Sequence, residues 1–202
     1  MAKVIVITGA GMGLGRATAR RLAADGNTLV LLGRTLSKVE KVADELGHGA
    51  FGVACDVSSA DSVRAAFASI AERHAKIDVL INNAAIYQPF LVTEATDEQI
   101  AASLATNMAG PVYCCRAAIP MMGPGAHIIN ISSESAIMPF AMLSMYQSTK
   151  AGLERFSESL HAELMPDGIR VTMTRCGQMK DDDSTWDIDP AVAGRFVQSN
   201  ME

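Results

Sequence analysis

The sequence predicts an α/β fold, a doubly wound parallel sheet with helices on both faces, and three observations lead there. Short β-branched or apolar runs alternate with longer stretches of helical period, the pattern of repeated strand-helix-strand units. The short runs are almost continuously hydrophobic, as in Thr28-Leu29-Val30-Leu31-Leu32, which fits strands covered on both faces. A glycine-rich turn, Thr8 to Gly15, joins the first run to the first helical stretch. The chain has 202 residues, 49% hydrophobic and 19% charged, with formal net charge −5. That balance excludes disorder, and a chain of this length buries roughly 70% of its unfolded surface. No repeat, low-complexity tract or Pro/Ser-rich linker divides it, so residues 1–202 are read as one domain.

The elements follow in order. Strands are expected over 3–8, 28–33, 50–55, 77–82, 126–132 and 169–175. Arg16 to Ala24 read as the first helix. Val39, Val42, Ala43 and Leu46 recur at helical spacing, and so do Val63, Ala66, Phe67 and Ile70 after the capping-type Ser58 and Ser59. Asn107 falls in the helix after the fourth strand, and Tyr146 to Lys150 open another. Residues 177–190 are polar and acidic, a surface loop ahead of a short helix from about Pro190 to Asn200.

Several partner classes drop out on the same grounds. Mild acidity offers no uniform attraction to nucleic acid or an anionic membrane surface. No run of eighteen apolar residues exists, and Val4–Ile7 is too short for a secretory core. Cys55, Cys114, Cys115 and Cys176 form no CxxC pair, so neither a metal site nor a disulfide framework is expected, and a reducing cytoplasm is the simplest location. Asn130-Ile131-Ser132 fits a glycosylation pattern but lies in a buried-strand run and is set aside. The expected partner is a small molecule.

The first chemical signal is the turn itself. Glycines let the backbone approach a ligand, and a helix N-terminus presents free N–H groups to a diphosphate. Gly9, Gly11, Gly13 and Gly15 do not meet the strict G-x-G-x-x-G pattern, and an ordinary tight turn is the alternative. Its place between a first strand and a helix, ahead of a second strand, favours a nucleotide. At the end of the second strand, where an acid holds an NAD ribose, stand Gly33 and Arg34. A guanidinium there can clamp a 2'-phosphate, which favours NADP over NAD; a plain surface arginine is the other reading.

The second signal is Tyr146-Gln147-Ser148-Thr149-Lys150, which puts a phenol and an ammonium on one helical face. Bringing a phenol from pKa near 10 toward 7 takes roughly 4 kcal/mol of phenolate stabilisation, and a nearby ammonium, joined by an oxidised nicotinamide ring, is a source of that field. Alone, the spacing also suits a helix surface pair. Its company is Asn130-Ile131-Ser132-Ser133 at the end of the fifth strand, Asn82-Asn83-Ala84-Ala85 at the end of the fourth, and Thr106-Asn107-Met108-Ala109-Gly110.

With these motifs in this order, the sequence resembles the classical short-chain dehydrogenase/reductase family from Lys3 to about Thr174. The resemblance implies a Rossmann-type sheet. It implies that Thr8, Gly9, Met12, Gly13, Leu14 and Gly15 belong to the family's phosphate turn, with Arg34, Asp56, Val57, Asn83, Ala84, Tyr146, Lys150 and Gly177 also meeting the cofactor. It further implies a tetrad of Asn107, Ser133, Tyr146 and Lys150. Tyr146 would pass the proton, Ser133 hold the substrate oxygen, Lys150 grip the nicotinamide ribose and lower the tyrosine pKa, and Asn107 anchor a water. A homodimer or homotetramer is expected on the same ground.

Three departures stand out: Ala85 for the family's glycine, Cys176-Gly177 for Pro-Gly, and Asp181 for a threonine near the carboxamide. Cys176 is read as an inert buried thiol or, less simply, a redox-sensitive one. Met138, Phe140, Met142, Leu143, Met145, Ile86, Tyr87 and Phe90 crowd the expected pocket mouth, pointing to a medium-sized apolar ketone or secondary alcohol, or else to packing against another subunit. Two function classes are therefore carried forward, an NADP-dependent oxidoreductase and a dinucleotide-binding protein with little or no turnover. Family members continue for several tens of residues past the position of Glu202. The resemblance thus implies a sheet lacking its last edge strand and an incomplete substrate-covering segment from about residue 177.

Overall fold

The computed structural model describes residues 2–177, 179 and 188–201. Six parallel strands form one sheet: β1 (Val4–Thr8), β2 (Thr28–Gly33), β3 (Phe51–Ala54), β4 (Val79–Asn82), β5 (His127–Ser133) and β6 (Arg170–Cys176). Their order across the sheet is β3-β2-β1-β4-β5-β6. Strand order reverses between β1 and β4, so a crevice opens at their carboxyl ends, where open α/β sheets take ligands. Each expected strand lies within two residues of its observed bounds.

Helices α1 (Gly13–Ala23), α2 (Leu36–Leu46), α3 (Ala60–Arg73), α4 (Asp97–Leu104), α5 (Gly110–Ala118), α6 (Ser144–Leu164) and α7 (Pro190–Met201) complete the order. Successive strand residues point to opposite faces, and the core divides accordingly. Val6, Val30, Leu32, Leu80 and Ile128 pack with Phe67, Ile70, Cys114 and Leu160 from α3, α5 and α6. Ile5, Ile7, Leu29 and Leu31 pack on the other face with Ala19, Val39 and Val42 from α1 and α2. The stripe read from α2 and α3 is the buried one. Ser59 caps α3, accepting from the Ser62 amide, whereas Ser58 bonds the Asp56 carboxylate.

Two elements differ from expectation. α1 starts at Gly13 rather than Arg16, so two of the four turn glycines sit inside the helix's first turn. The helix expected around Asn107 is interrupted by a π turn over Ala105–Ala109, in which the Gly110 amide reaches back five residues to the Ala105 carbonyl. Pro111 follows and has no N–H to continue the α register, and such turns recur where a helix carries function.

β6 is the last strand of the sheet among the described residues. It pairs with β5 alone and alternates between exposed and half-buried residues. Most of the acidic segment before α7, with Asp181, falls outside the described residues. Among those described, no helix is long and apolar enough to cross a membrane, and no three His, Cys, Asp or Glu side chains group as a metal site.

Candidate active site

A cleft of about 310 Å³ opens at the reversal point, lined by the ends of β1, β2, β3 and β4. Its floor is shaped by glycines that admit no side chain. Gly9 has φ +65°, and a Cβ there would lie 2.9 Å from Ala84 Cα. A Cβ on Gly15 would lie 2.4 Å from the Gly9 carbonyl oxygen and 2.6 Å from Asn83 Nδ2. Thr8 is buried beneath this turn, its Oγ1 accepting from the Asn83 and Ala84 amides at 3.0 Å each. Asn83 returns the tie, donating from Nδ2 to the carbonyls of Thr8 at 2.9 Å and Gly9 at 3.3 Å. The two side chains lock β1 to β4 and hold the turn open.

Of the residues expected to meet a cofactor, Gly9, Met12, Arg34, Asp56, Val57, Asn83 and Ala84 line the cleft. Thr8, Gly13, Leu14, Gly15, Tyr146, Lys150 and Gly177 stand outside that lining among the described residues. Thr8 and Gly15 act from behind the surface, and Gly177 follows β6 beside the Glu134 carboxylate. Ala85, the departure from glycine, is exposed on the cleft wall. Sequence reading missed Lys38, which lines the same end as Arg34 and Thr35. The signal was available, a cation four residues after Arg34 on the first turn of α2. That turn carries no acid, and Thr35 makes no side-chain cap to its amides.

Outside that lining, at the carboxyl end of β5 and the start of α6, stand Ser133, Tyr146 and Lys150. Ser133 ends β5, while Tyr146 and Lys150 lie one turn apart near the start of α6. The Tyr146 phenol faces the Ser133 hydroxyl, which pulls its pKa down. Lys150 Nζ donates to the Ile131 carbonyl at 2.7 Å and lies 5.7 Å from the Tyr146 ring centroid. Its ammonium is buried, which pushes its pKa down to about 8, with Cys176 opposing the shift. Burial holds the Tyr146 phenol above its ordinary value, Ser133 opposing and Cys176 adding to the rise. Cys176 is half-buried rather than enclosed, and burial also raises its thiol pKa, against the pull of Lys150.

Asn107, fully buried in the π turn, grips the chain after β4. Its Oδ1 accepts from the Ile86 amide at 2.7 Å and its Nδ2 donates to the Ile86 carbonyl at 2.8 Å. Both ends of the amide are occupied, so the side chain shapes the wall.

A network one turn past Lys150 fixes this end. The buried Glu154 carboxylate accepts from Ser132 Oγ at 2.7 Å and from Arg175 Nε and Nη2 at 2.8 and 2.7 Å, joining β5, α6 and β6. Arg175 and its hydrogen bonds hold Glu154 below the usual carboxylate range. Over the site, α7 is fastened through Arg195 to Glu94 and through Asn200 to the Ala141 backbone. Phe196 of α7 meets Tyr87 edge-on, and Tyr87 in turn meets the Tyr146 ring at 5.0 Å. A phenol, a hydroxyl and an ammonium thus converge beside a nucleotide-sized cleft, under an aromatic wall. Such a set can hold and protonate one carbonyl oxygen.

The arrangement defines a class, and comparison with known proteins agrees. The short chain dehydrogenase family model matches residues 3–191. The chain is 33% identical over 184 residues to carbonyl reductase family member 4 of Danio rerio, across 90% of this chain and 78% of that protein. A metagenomic short-chain oxidoreductase solved in complex with NADP superposes with TM-score 0.81 at 32% identity, covering 88% of this chain and 83% of the other. A 3-ketoacyl-(acyl-carrier-protein) reductase from Brucella melitensis, complexed with NADH, gives 0.82 at 30% identity, over 87% and 75%. In longer oxidoreductase relatives the matched chain spans 30–33% of the length. The chain belongs to the short-chain dehydrogenase/reductase family. It is a nicotinamide-dinucleotide-dependent oxidoreductase.

Proposed function

We propose that the protein is an NADP-dependent reductase of a medium-sized, largely apolar ketone, and the reverse dehydrogenase of the corresponding secondary alcohol. The observation that carries this reading is the placement of the glycine-floored cleft and of Ser133, Tyr146 and Lys150 along the same carboxyl edge of the sheet. The residues present suit the dinucleotide: Gly9 and Gly15 leave room where any Cβ would intrude. Arg34, Lys38 and the first turn of α2, which has no side-chain cap and no acid, offer positive charge to a 2'-phosphate, which favours NADP. When bound, the cofactor supplies the hydride.

The chain's own residues supply alignment and the proton. Asp56 and Val57 border the adenine, while Asn83 and Ala84 support the dinucleotide beside β4. Lys150 holds the nicotinamide ribose. Ser133 donates a hydrogen bond to the substrate oxygen, and Tyr146 gives that oxygen its proton as the carbinol forms. A phenol whose pKa burial holds up stays protonated at neutral pH, the state that ketone reduction requires. Tyr87, Phe196 and Met142 supply the apolar wall. The four free thiols support a reducing, cytoplasmic setting, and exposed Leu104 beside the π turn supports subunit pairing into a dimer or tetramer.

The test is a spectrophotometric assay near 340 nm, about the reduced-nicotinamide band, with NADPH or NADH and a panel of cyclic, aromatic and small polar ketones. Oxidation of NADPH by the apolar ketones, faster than of NADH, is expected. Tight NADPH binding with no turnover across the panel would instead carry the binding-protein reading, and preference for polar sugars would overturn the substrate class.

A further inference from the structure

We propose that Ser135 is a positioning residue that sets the direction of the Ser133 hydroxyl, an inference that rests on the role given to Ser133 above. A serine hydroxyl has one proton to donate and two lone pairs to accept. Ser133 Oγ accepts from the Ser135 backbone amide at 3.2 Å and lies 2.9 Å from Ser135 Oγ. The amide bond has only one possible direction. If Ser135 Oγ also donates, both lone pairs of Ser133 are occupied, and its single proton is left for the side of the hydroxyl that faces Tyr146 and, by the role given above, the substrate oxygen.

The local fold makes this contact. Ser133 is the N-cap of a single 3-10 turn, Glu134–Ala136, that closes directly after β5 and brings the residue two places on back over the cap. Ser135 is buried, 5% exposed, so water does not compete for the bond. Without the Ser135 hydroxyl, Ser133 can turn its proton away from Tyr146, weakening both the hold on the substrate oxygen and the pull by which Ser133 lowers the phenol pKa. The groups facing the Tyr146 oxygen and ring from the surrounding elements are Ser133, Lys150, Cys176 and Tyr87, and none of them is altered by a change at Ser135.

Ser135→Ala and Ser135→Thr test the idea with two readouts. In the first, NADPH turnover with the fastest cyclic or aromatic ketone of the panel should fall about tenfold in kcat for Ser135→Ala, with the KM for NADPH unchanged, and Ser135→Thr should recover to within about threefold. The second needs no substrate. Ultraviolet difference titration of the phenols, with Tyr146→Phe subtracted to isolate Tyr146, should show its ionisation moved to higher pH in Ser135→Ala, in the same direction as in Ser133→Ala, and restored in Ser135→Thr. Wild-type kcat and an unmoved Tyr146 titration in Ser135→Ala would overturn the inference. Equal loss in the alanine and threonine variants would also overturn it, as a packing effect. Full activity in Ser133→Ala would instead remove the reading on which it rests.

Discussion

The glycine turn at the cleft floor works through backbone, the cluster of Ser133, Tyr146 and Lys150 through side chains. Around β1 the ligand-facing surface is Gly9, Gly11, Met12 and the ends of β2 and β3. The strands behind it are buried on both faces, and Thr8 and Asn83 act from beneath. Around β5 and α6 the working groups are Ser133, Tyr146 and Lys150, each aimed by another side chain or a carbonyl, on a sheet whose last described strand is half exposed. The difference teaches where each end is vulnerable. The first fails when something is added, the second when a single polar atom is removed.

Substitutions can break or sharpen that contrast. The largest effect is expected from Tyr146→Phe, which removes one oxygen and should lower kcat by about 10²–10⁴-fold while NADPH affinity, measured by fluorescence titration, stays within about twofold. Gly15→Ala adds one carbon where 2.4 Å is available. It should weaken NADPH binding at least tenfold and lower stability by about 1–3 kcal/mol, read by titration and by urea unfolding. Arg34→Ala should raise the KM for NADPH by about 10–100-fold, the loss of one charge-assisted contact, and leave the KM for NADH unchanged; equal loss for both cofactors would count against a 2'-phosphate clamp.

The smallest effect belongs to the frame of the proton-transfer end. Glu154→Gln should cost about 1–2 kcal/mol, since Arg175 remains partly exposed and can turn to water. The sign with pH is fixed by direction. Glu154 has its folded pKa below the unfolded one, so its contribution is present above the ordinary carboxylate pKa near 4.5 and is lost as pH falls through the folded value. Unfolding curves of wild type and Glu154→Gln should therefore lie apart at pH 7 and converge in acid.

Much of the fold was legible because the strands are covered on both faces, so their hydrophobic runs are continuous and their bounds sharp. Helix α2 was legible for the same reason, Val39 and Val42 being fully apolar at the right spacing. The π turn was not read, although Pro111 carried the information, because a proline one place past a helix start is ordinarily tolerated at N1. In the site, Ser133, Tyr146 and Lys150 could be picked out as residue types at set spacings. Their supporting partners could not, since Ser132, Glu154 and Arg175 come together only through the pairing of β5 with β6 and the packing of α6. Asn83 and Thr8 were named as cofactor contacts, yet their hydrogen bonds join each other across β1 and β4. Their place at a glycine turn is visible in sequence, and the direction of their side chains is not. The burial of Tyr146 was not legible for a related reason, because spacing reveals the neighbouring ammonium while burial depends on the whole enclosure.

The central claim is that this edge of the sheet moves a hydride to a ketone carbon while the chain delivers the proton. Reduction of a cyclic or aromatic ketone with NADPH deuterated at C4, prepared separately in its two stereochemical forms, tests it most directly by mass spectrometry of the alcohol. One form should give product carrying a single deuterium at the carbinol carbon and the other none. Alcohol without label from either form, or no alcohol at all, would contradict the claim.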